Sequence, residues 1–128
     1  MKPRRWVELR EILAMHDDQL AEHGGLHGLR DQGLLESALS RARNLAAYGD
    51  PTIFELAAAY AFGIAKNHPF VDGNKRSAFL AGAIFLAWNG WEPNAVETDV
   101  VMTFQELAAG KLTEAALTDW FERNSEKS

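Results

Sequence analysis

The 128-residue sequence contains no cysteine and has fewer basic than acidic side chains. The absence of cysteine excludes a disulfide scaffold, a zinc site built on thiolates and a cysteine nucleophile. Thirteen lysines and arginines stand against 18 aspartates and glutamates, which gives a net charge of −5. Since duplex-binding proteins usually present a basic face to the phosphates, direct binding to nucleic acid is not expected.

Long hydrophobic runs are also absent. The longest uncharged stretch within a predicted helix, Ser77 to Trp88, has 12 residues, whereas a membrane-spanning helix needs about 20. The basic N-terminus is followed by Glu8 and Glu11, so no apolar signal-peptide core develops. We therefore expect a cytoplasmic protein without a membrane-spanning segment.

The length and the apolar content fit one globular domain. A chain of 128 residues is close to the usual size of a domain, and a hydrophobic share of 47% is enough to bury a core. No internal repeat, linker or low-complexity tract divides the chain. Residues 1–128 are therefore expected to form a single domain.

The spacing of apolar residues predicts an all-α fold of about six helices. The first predicted helix has an apolar stripe from Trp6 to Leu20 and ends before Gly24-Gly25, and the second is capped by Asp31 and has an apolar face from Leu34 to Ala42. The third is opened by Thr52 and Glu55, and the fourth runs from Asn74 to Asn89 before Gly90. The last two run from about Thr98 to Ala109 and from Thr113 to about Arg123. Trp91 to Asn94 is predicted to be a connection, and only Ala95-Val96 suggests a strand.

Two of these helices are expected in the middle of the fold. The helix after Thr52 is apolar nearly all round, and the helix after the polar loop contains the uncharged run described above. A helix that is apolar on every side is normally buried within the protein. Trp88 and Phe70 are predicted to pack into the same core, with Phe70 as the anchor of the polar loop.

The polar segment 68–76 carries groups that suit an anion site. A helix N-terminus offers unpaired N–H groups and a partial positive charge, which together bind phosphate. Gly73 allows a close backbone approach or a positive φ, while Arg76 offers a planar fork and Lys75 a point charge. Because a basic pair opposes the dipole at a helix start, its presence there favours a bound anion.

Two further side chains of this segment suit catalysis. Asp72 is a natural ligand for Mg²⁺, which binds nucleotides through one or two carboxylates and the phosphates. A histidine has an ordinary pKa near neutrality, so His68 can accept a proton from an attacking hydroxyl. From residue types alone, a simple Asp-Gly-Asn turn and a structural histidine remain open. Lys66 could add a charge near the phosphates, although a solvated helix end is the more ordinary interpretation.

The run His68-Pro69-Phe70-Val71-Asp72-Gly73-Asn74-Lys75-Arg76 resembles the signature of the Fic/Doc superfamily, and in particular its death-on-curing (Doc) toxin branch. The similarity covers about residues 6–90 and implies a compact Fic-type helical domain that uses ATP and Mg²⁺. Lys75 occupies the place where AMP-transferring Fic proteins have a second glycine. The resemblance therefore implies transfer of the γ-phosphate of ATP. The upstream segments that share the similarity are 16–17, 24–31 and 33–39.

The resemblance also implies a specific function. Doc-branch members are toxins of toxin–antitoxin modules, and they act as kinase-like phosphotransferases on a threonine of elongation factor Tu, which inhibits translation. An antitoxin peptide or protein would restrain such a toxin in trans. The implied catalytic residues are His68 as base, Asp72 as Mg²⁺ ligand, directly or through water, and Arg76. The implied phosphate-binding residues are Gly73, Asn74, Lys75 and Arg76.

Several alternatives remain open at this point. Transfer of AMP to a protein hydroxyl would differ only in the orientation of the nucleotide, and a catalytically inactive partner in a regulatory complex would need no transfer at all. His16-Asp17 is also typical of metal phosphohydrolases, in which His23, His27 and His68 would complete the ligand cluster. The stretch 24–31 is predicted to be a structural loop, with recognition of a substrate or partner as the alternative.

Overall fold

Residues 3–128 are described by the computed structural model, and their regular structure is mostly helical. The elements in chain order are α1 (Leu9–His23), α2 (Gln32–Tyr48), α3 (Ile53–Asn67), α4 (Asn74–Trp88), β1 (Trp91–Pro93), α5 (Glu97–Ala108), α6 (Glu114–Arg123) and β2 (Ser125–Lys127). The predicted all-α class with six helices is confirmed.

Local capping explains where several helices begin. Asp31 accepts a hydrogen bond from the Leu34 N–H at 3.0 Å, and Thr52 forms a reciprocal capping box with Glu55. Thr113 caps α6 in the same way as Asp31 caps α2. Such caps each stabilise a helix by about 1 kcal/mol. These starts follow from short-range sequence signals and agree with the prediction.

The middle of the fold is formed by α3 and α4. Helix α3 contacts α2, α4, α5 and α6, and most of its residues are fully buried. Its small residues allow close approach: a Cβ on Gly63 would lie 3.1 Å from the Ala38 Cβ of α2. The predicted burial of Phe70 is confirmed. Trp88 packs against the core as predicted but is only half-buried, and the Arg5 guanidinium lies 3.8 Å from its ring centroid.

The strand prediction was wrong in position. No strand forms at Ala95-Val96, where Val96 instead precedes the first turn of α5. The chain forms β1 at Trp91–Pro93, which pairs antiparallel with the C-terminal β2. Strands of three residues carry no readable periodicity, and their pairing joins segments more than 30 residues apart.

Among the described residues, no helix combines the length and the apolar character that crossing a membrane would require.

The segment before α1 is fastened to α3 by a buried hydroxyl. The Val7 N–H donates to the Tyr60 Oη at 3.0 Å, and burial raises the pKa of Tyr60 to about 12. We expect Tyr60→Phe to lower the free energy of unfolding by about 1–3 kcal/mol, because it leaves the Val7 N–H buried without an acceptor. Urea unfolding measures the change. Tyr48→Phe is the control, since Tyr48 is 92% exposed; an equal loss in both variants would contradict the assignment.

Candidate active site

The polar loop between α3 and α4 is held in place by the segment before α2. We call residues 24–31 the clasp segment. The Val71 N–H donates to the Gly28 carbonyl at 3.0 Å, and the Arg30 N–H donates to the Pro69 carbonyl at 2.7 Å. Phe70 forms an isolated β-bridge with Leu29. The clasp segment is therefore a structural loop, as predicted, and its partner is the loop that carries the candidate site.

Arg30 is a residue that the sequence argument missed. Its Nε donates to the His68 carbonyl at 2.7 Å, and its Nη2 donates to the Asn67 carbonyl at 2.8 Å. The last carbonyls of a helix have no partners within the helix. Arg30 satisfies two such groups at the end of α3 and fixes the backbone on which the His68 ring is mounted.

His68 lies immediately after α3 in a left-handed backbone conformation, with φ 51° and ψ 53°. It is the only non-glycine residue of the described chain with positive φ. Such a conformation is uncommon for a side chain other than Asn, Asp or His, and it is maintained when surrounding contacts fix it. Here those contacts come from Arg30, and they leave the imidazole exposed at the mouth of a cavity.

The buried Asn74 amide assigns the tautomer of His68. Asn74 Oδ1 accepts from the Phe70 N–H at 2.9 Å, and Asn74 Nδ2 donates to the Phe70 carbonyl at 2.9 Å. These two bonds orient the amide, so its Nδ2 also points to His68 Nδ1 at 3.0 Å. Since an amide nitrogen only donates, Nδ1 accepts, and the neutral ring carries its proton on Nε2.

Asp72 is exposed and carries a stabilised negative charge. Its Oδ2 accepts from the Leu26 N–H at 3.1 Å, and its Oδ1 accepts from the Gly73 N–H at 2.9 Å. These bonds, that from Leu26 first, lower the pKa of Asp72 below its ordinary value. Each oxygen keeps a further lone pair. One exposed carboxylate beside a candidate phosphate site fits Mg²⁺, which is usually bound by few protein ligands together with phosphates and water.

The start of α4 offers free backbone donors. Gly73 precedes the helix with φ 79°, and it supplies no side-chain cap. No acceptor within the described residues serves the N–H groups of residues 74–76. Residues 74–76 border a cavity of about 410 Å³, and their free N–H groups carry the partial positive charge of the helix end. The residues that line this first cavity are His68, residues 71–76, Val100, Val101, Phe104, Gln105 and Ala108.

The predicted phosphate-binding residues thus lie together, but Arg76 has a partner that the sequence did not reveal. Both terminal nitrogens of Arg76 donate to the carboxylate of Glu97 in the first turn of α5. The hydrogen bond and charge of Arg76 lower the pKa of Glu97. Lys75 is exposed and lines the cavity, whereas Lys66 does not line it. A phosphate that uses the same two N–H groups of Arg76 must displace Glu97.

Because the resemblance implies that Arg76 holds the phosphates of ATP, we expect Glu97→Gln to bind ATP about two- to fivefold more tightly, since it removes a carboxylate that competes for Arg76. The gain is limited since Glu97 is 61% exposed, and exposed ion pairs contribute about 0.2–1 kcal/mol. Isothermal titration calorimetry with ATP measures the affinity. Glu106→Gln, an exposed glutamate on the same helix, is the matched control. Unchanged affinity in Glu97→Gln would contradict the competition.

Behind the loop lies a buried histidine. His16 is 2% exposed and stacks on Phe70, with ring centroids 3.6 Å apart and planes 8° from parallel. Its Nδ1 and the Ser77 Oγ are hydrogen-bonded at 2.8 Å, while Nε2 is buried without a partner. His16 is therefore part of the packing beneath the loop. The described residues contain no group of three or more His, Cys, Asp or Glu placed to hold a metal ion, so no metal phosphohydrolase cluster is formed.

His16 predicts a pH dependence of stability. Burial lowers the pKa of His16 below its ordinary value of 6.5, although the charge of Asp17 opposes the shift. Below pH 6.5 the unfolded chain therefore binds a proton that the folded chain does not, and the free energy of unfolding falls by up to about 1.4 kcal/mol per pH unit. Urea unfolding at pH 7.5 and 5.5 measures the slope. His16→Gln should flatten it, whereas the exposed His27→Gln serves as control; equal slopes in all three proteins would refute the contribution.

Comparison with known proteins gives one family. The sequence model of the Fic/DOC family matches residues 6–86. The "Protein kinase doc" of Escherichia phage P1 is 37% identical over 87 residues, which are 67% of this chain and 69% of that protein. The "Toxin Doc" of Mycolicibacterium smegmatis is 43% identical over 70 residues, which are 52% of this chain and 53% of that protein. The match to the second relative thus spans about half of its length.

Proposed function

The chain belongs to the Fic/DOC family, and on this premise we propose that it is the toxin of a toxin–antitoxin module. The toxin transfers the γ-phosphate of ATP to a Ser or Thr hydroxyl of a cytoplasmic translation factor. Elongation factor Tu is the expected target, and inhibition of translation is the expected outcome. The names of the two relatives, one a protein kinase and the other a toxin, support both parts. The observation that carries the proposal is that an exposed imidazole and a helix N-terminus with free N–H groups lie at the same cavity.

The reaction requires few protein groups because phosphoryl transfer depends mainly on positioning and charge neutralisation. The acceptor oxygen bonds to the γ-phosphorus while the bond from that phosphorus to the β,γ-bridging oxygen breaks, so ADP leaves. The hydroxyl proton passes to His68. Lys75, Arg76 and the N-terminal amides of α4 hold the phosphates and the charge that develops on them.

The tautomer of His68 restricts how it acts as base. Its Nδ1 lone pair is the available proton acceptor, and that atom receives the Asn74 amide. Proton transfer therefore needs the acceptor hydroxyl to replace Asn74 as the donor to Nδ1, or the ring to turn about its Cβ–Cγ bond. Either change belongs to the substrate-bound state, in which catalytic hydrogen bonds rearrange and tighten.

Asp72 is the residue that would hold Mg²⁺, directly or through water. The ion would neutralise charge on the β- and γ-phosphates when bound. The role of this chain is to supply one ionised carboxylate, oriented by the Leu26 and Gly73 N–H groups, beside the amides of α4. The lowered pKa keeps that carboxylate charged at neutral pH.

Labelled nucleotide tests the proposal and separates it from AMP transfer. The purified protein is incubated with elongation factor Tu and Mg²⁺, together with ATP labelled at either the α- or the γ-phosphate. The proposal requires label on elongation factor Tu from γ-labelled ATP only. Label from α-labelled ATP would assign AMP transfer instead. No label from either, together with growth arrest that persists in His68→Ala, would assign an inactive binding partner.

A further inference from the structure

The backbone of His68 is in a conformation that the following residue opposes. Its φ of 51° and ψ of 53° are left-handed, and Pro69 comes next in the chain. A proline favours an extended backbone at the residue before it, because the proline Cδ crowds the N–H and Cβ of that residue. Contacts from elsewhere in the fold must therefore maintain the conformation of His68.

The contacts that maintain it come from the end of the clasp segment. The main-chain N–H groups of Arg30 and Asp31 both donate to the Pro69 carbonyl, at 2.7 and 3.0 Å. The Arg30 side chain holds the two preceding carbonyls: its Nε donates to that of His68 at 2.7 Å, and its Nη2 donates to that of Asn67 at 2.8 Å. Three successive carbonyls at the start of the polar loop are thus fixed.

The orientation of the imidazole depends directly on this backbone. His68 is exposed, so close packing does not hold its ring. Its Nδ1 lies 3.0 Å from the Nδ2 of Asn74, and that amide is itself fixed by two hydrogen bonds to the backbone of Phe70. The ring meets the amide only if the Cα–Cβ bond of His68 points towards it, and the left-handed backbone determines that direction.

We propose that Arg30 is the positioning residue of the His68 imidazole, because its guanidinium maintains the backbone that aims the ring at Asn74 and the first cavity. The kinetic consequence rests on the proposed function, in which this imidazole is the base. A guanidinium suits the task because it donates from two nitrogens in one rigid plane, whereas a lysine ammonium is a point charge. The alternative is a purely structural role, in which a basic residue stabilises the end of α3.

Single-turnover transfer from γ-labelled ATP to elongation factor Tu tests the kinetic consequence. Arg30→Ala should lower the rate about 10–100-fold, the usual cost of a small misplacement of a catalytic group. ATP affinity, measured by calorimetry, should not change, since Arg30 does not line the first cavity. Arg30→Lys should recover part of the rate. Arg10→Ala, which removes an exposed arginine of α1, should keep the wild-type rate.

Nitrogen-15 NMR of the histidine rings tests the orientation without requiring catalysis. At about pH 8, where an ordinary histidine is neutral, wild-type His68 should show a protonated Nε2 and an unprotonated Nδ1. The signals are assigned by their absence from His68→Asn. In Arg30→Ala the two nitrogen shifts should move towards each other, because a ring that loses the Asn74 amide populates both tautomers. In Arg10→Ala they should stay as in the wild-type protein.

The outcomes separate the positioning role from the structural one and from the proposed function. Lower stability to urea in Arg30→Ala, with an unchanged rate and unchanged His68 shifts, would overturn the inference and leave Arg30 as a cap of α3. A lower rate with unchanged shifts would also overturn it. If Arg30→Ala does not fold, Arg30→Lys decides by the same two measurements, since it keeps the charge but loses the fork. If the wild-type protein transfers no label, the proposed reaction fails, whereas converging shifts in Arg30→Ala would still support the positioning role.

Discussion

Replacement of His68 by alanine is expected to lower kcat for transfer to the target by about 10²–10⁴-fold, the usual contribution of a positioned general base. ATP affinity should change little, because the proposed function assigns the phosphates to the N-terminus of α4 and its cationic side chains. Single-turnover kinetics with γ-labelled ATP measures the rate, and calorimetry measures nucleotide binding.

Two further variants make this experiment specific. His68→Asn should be as inactive as His68→Ala, although asparagine tolerates the left-handed backbone at this position. This comparison separates the loss of the base from backbone strain. His27→Ala, which removes an exposed histidine from the clasp segment, should retain the wild-type rate. Substantial activity in either His68 variant would contradict the assigned role.

The largest effect on stability is expected for Phe70→Ala, at about 3–5 kcal/mol. Phe70 is 1% exposed, stacks on His16 and joins the clasp segment through its backbone. Truncation leaves a cavity between the loop and α1 and exposes the unpaired His16 nitrogen. Urea unfolding followed by far-ultraviolet circular dichroism measures the loss.

Phe70→Leu is the matched control for this prediction, because it keeps most of the buried volume. It should cost less than about 1.5 kcal/mol. If Phe70→Ala were no more destabilising than Phe70→Leu, the ring would not be the anchor of the loop.

The sequence predicts the helices well because their signals are local. A cap such as Thr52 acts on a backbone group three residues away, and the apolar pattern of α3 repeats within single turns. The sequence also predicts that residues 68–76 lie close together, because they are consecutive in the chain. Periodicity does not predict β2, a polar strand that pairs with β1, a segment far earlier in the chain.

Contacts between distant segments account for the remaining features of the candidate site. Glu97 reaches Arg76 across 21 positions, and Arg30 reaches the His68 carbonyl across 38. Charged residues at exposed positions offer no signal of such a partner before the fold is known. The orientation of the Asn74 amide likewise follows from the backbone at Phe70. The proximity of the candidate site residues could be predicted from the sequence, whereas their hydrogen-bond network could not.

The pairing of Arg76 with Glu97 has a consequence for motion. Arg76 belongs to the first turn of α4, and Glu97 belongs to the first turn of α5. A phosphate that displaces Glu97 from the guanidinium removes one connection between these two helices. The side of the cavity that α5 lines is therefore less restrained when phosphate is bound than when the site is empty. Ligands commonly have the opposite effect and make a protein more rigid.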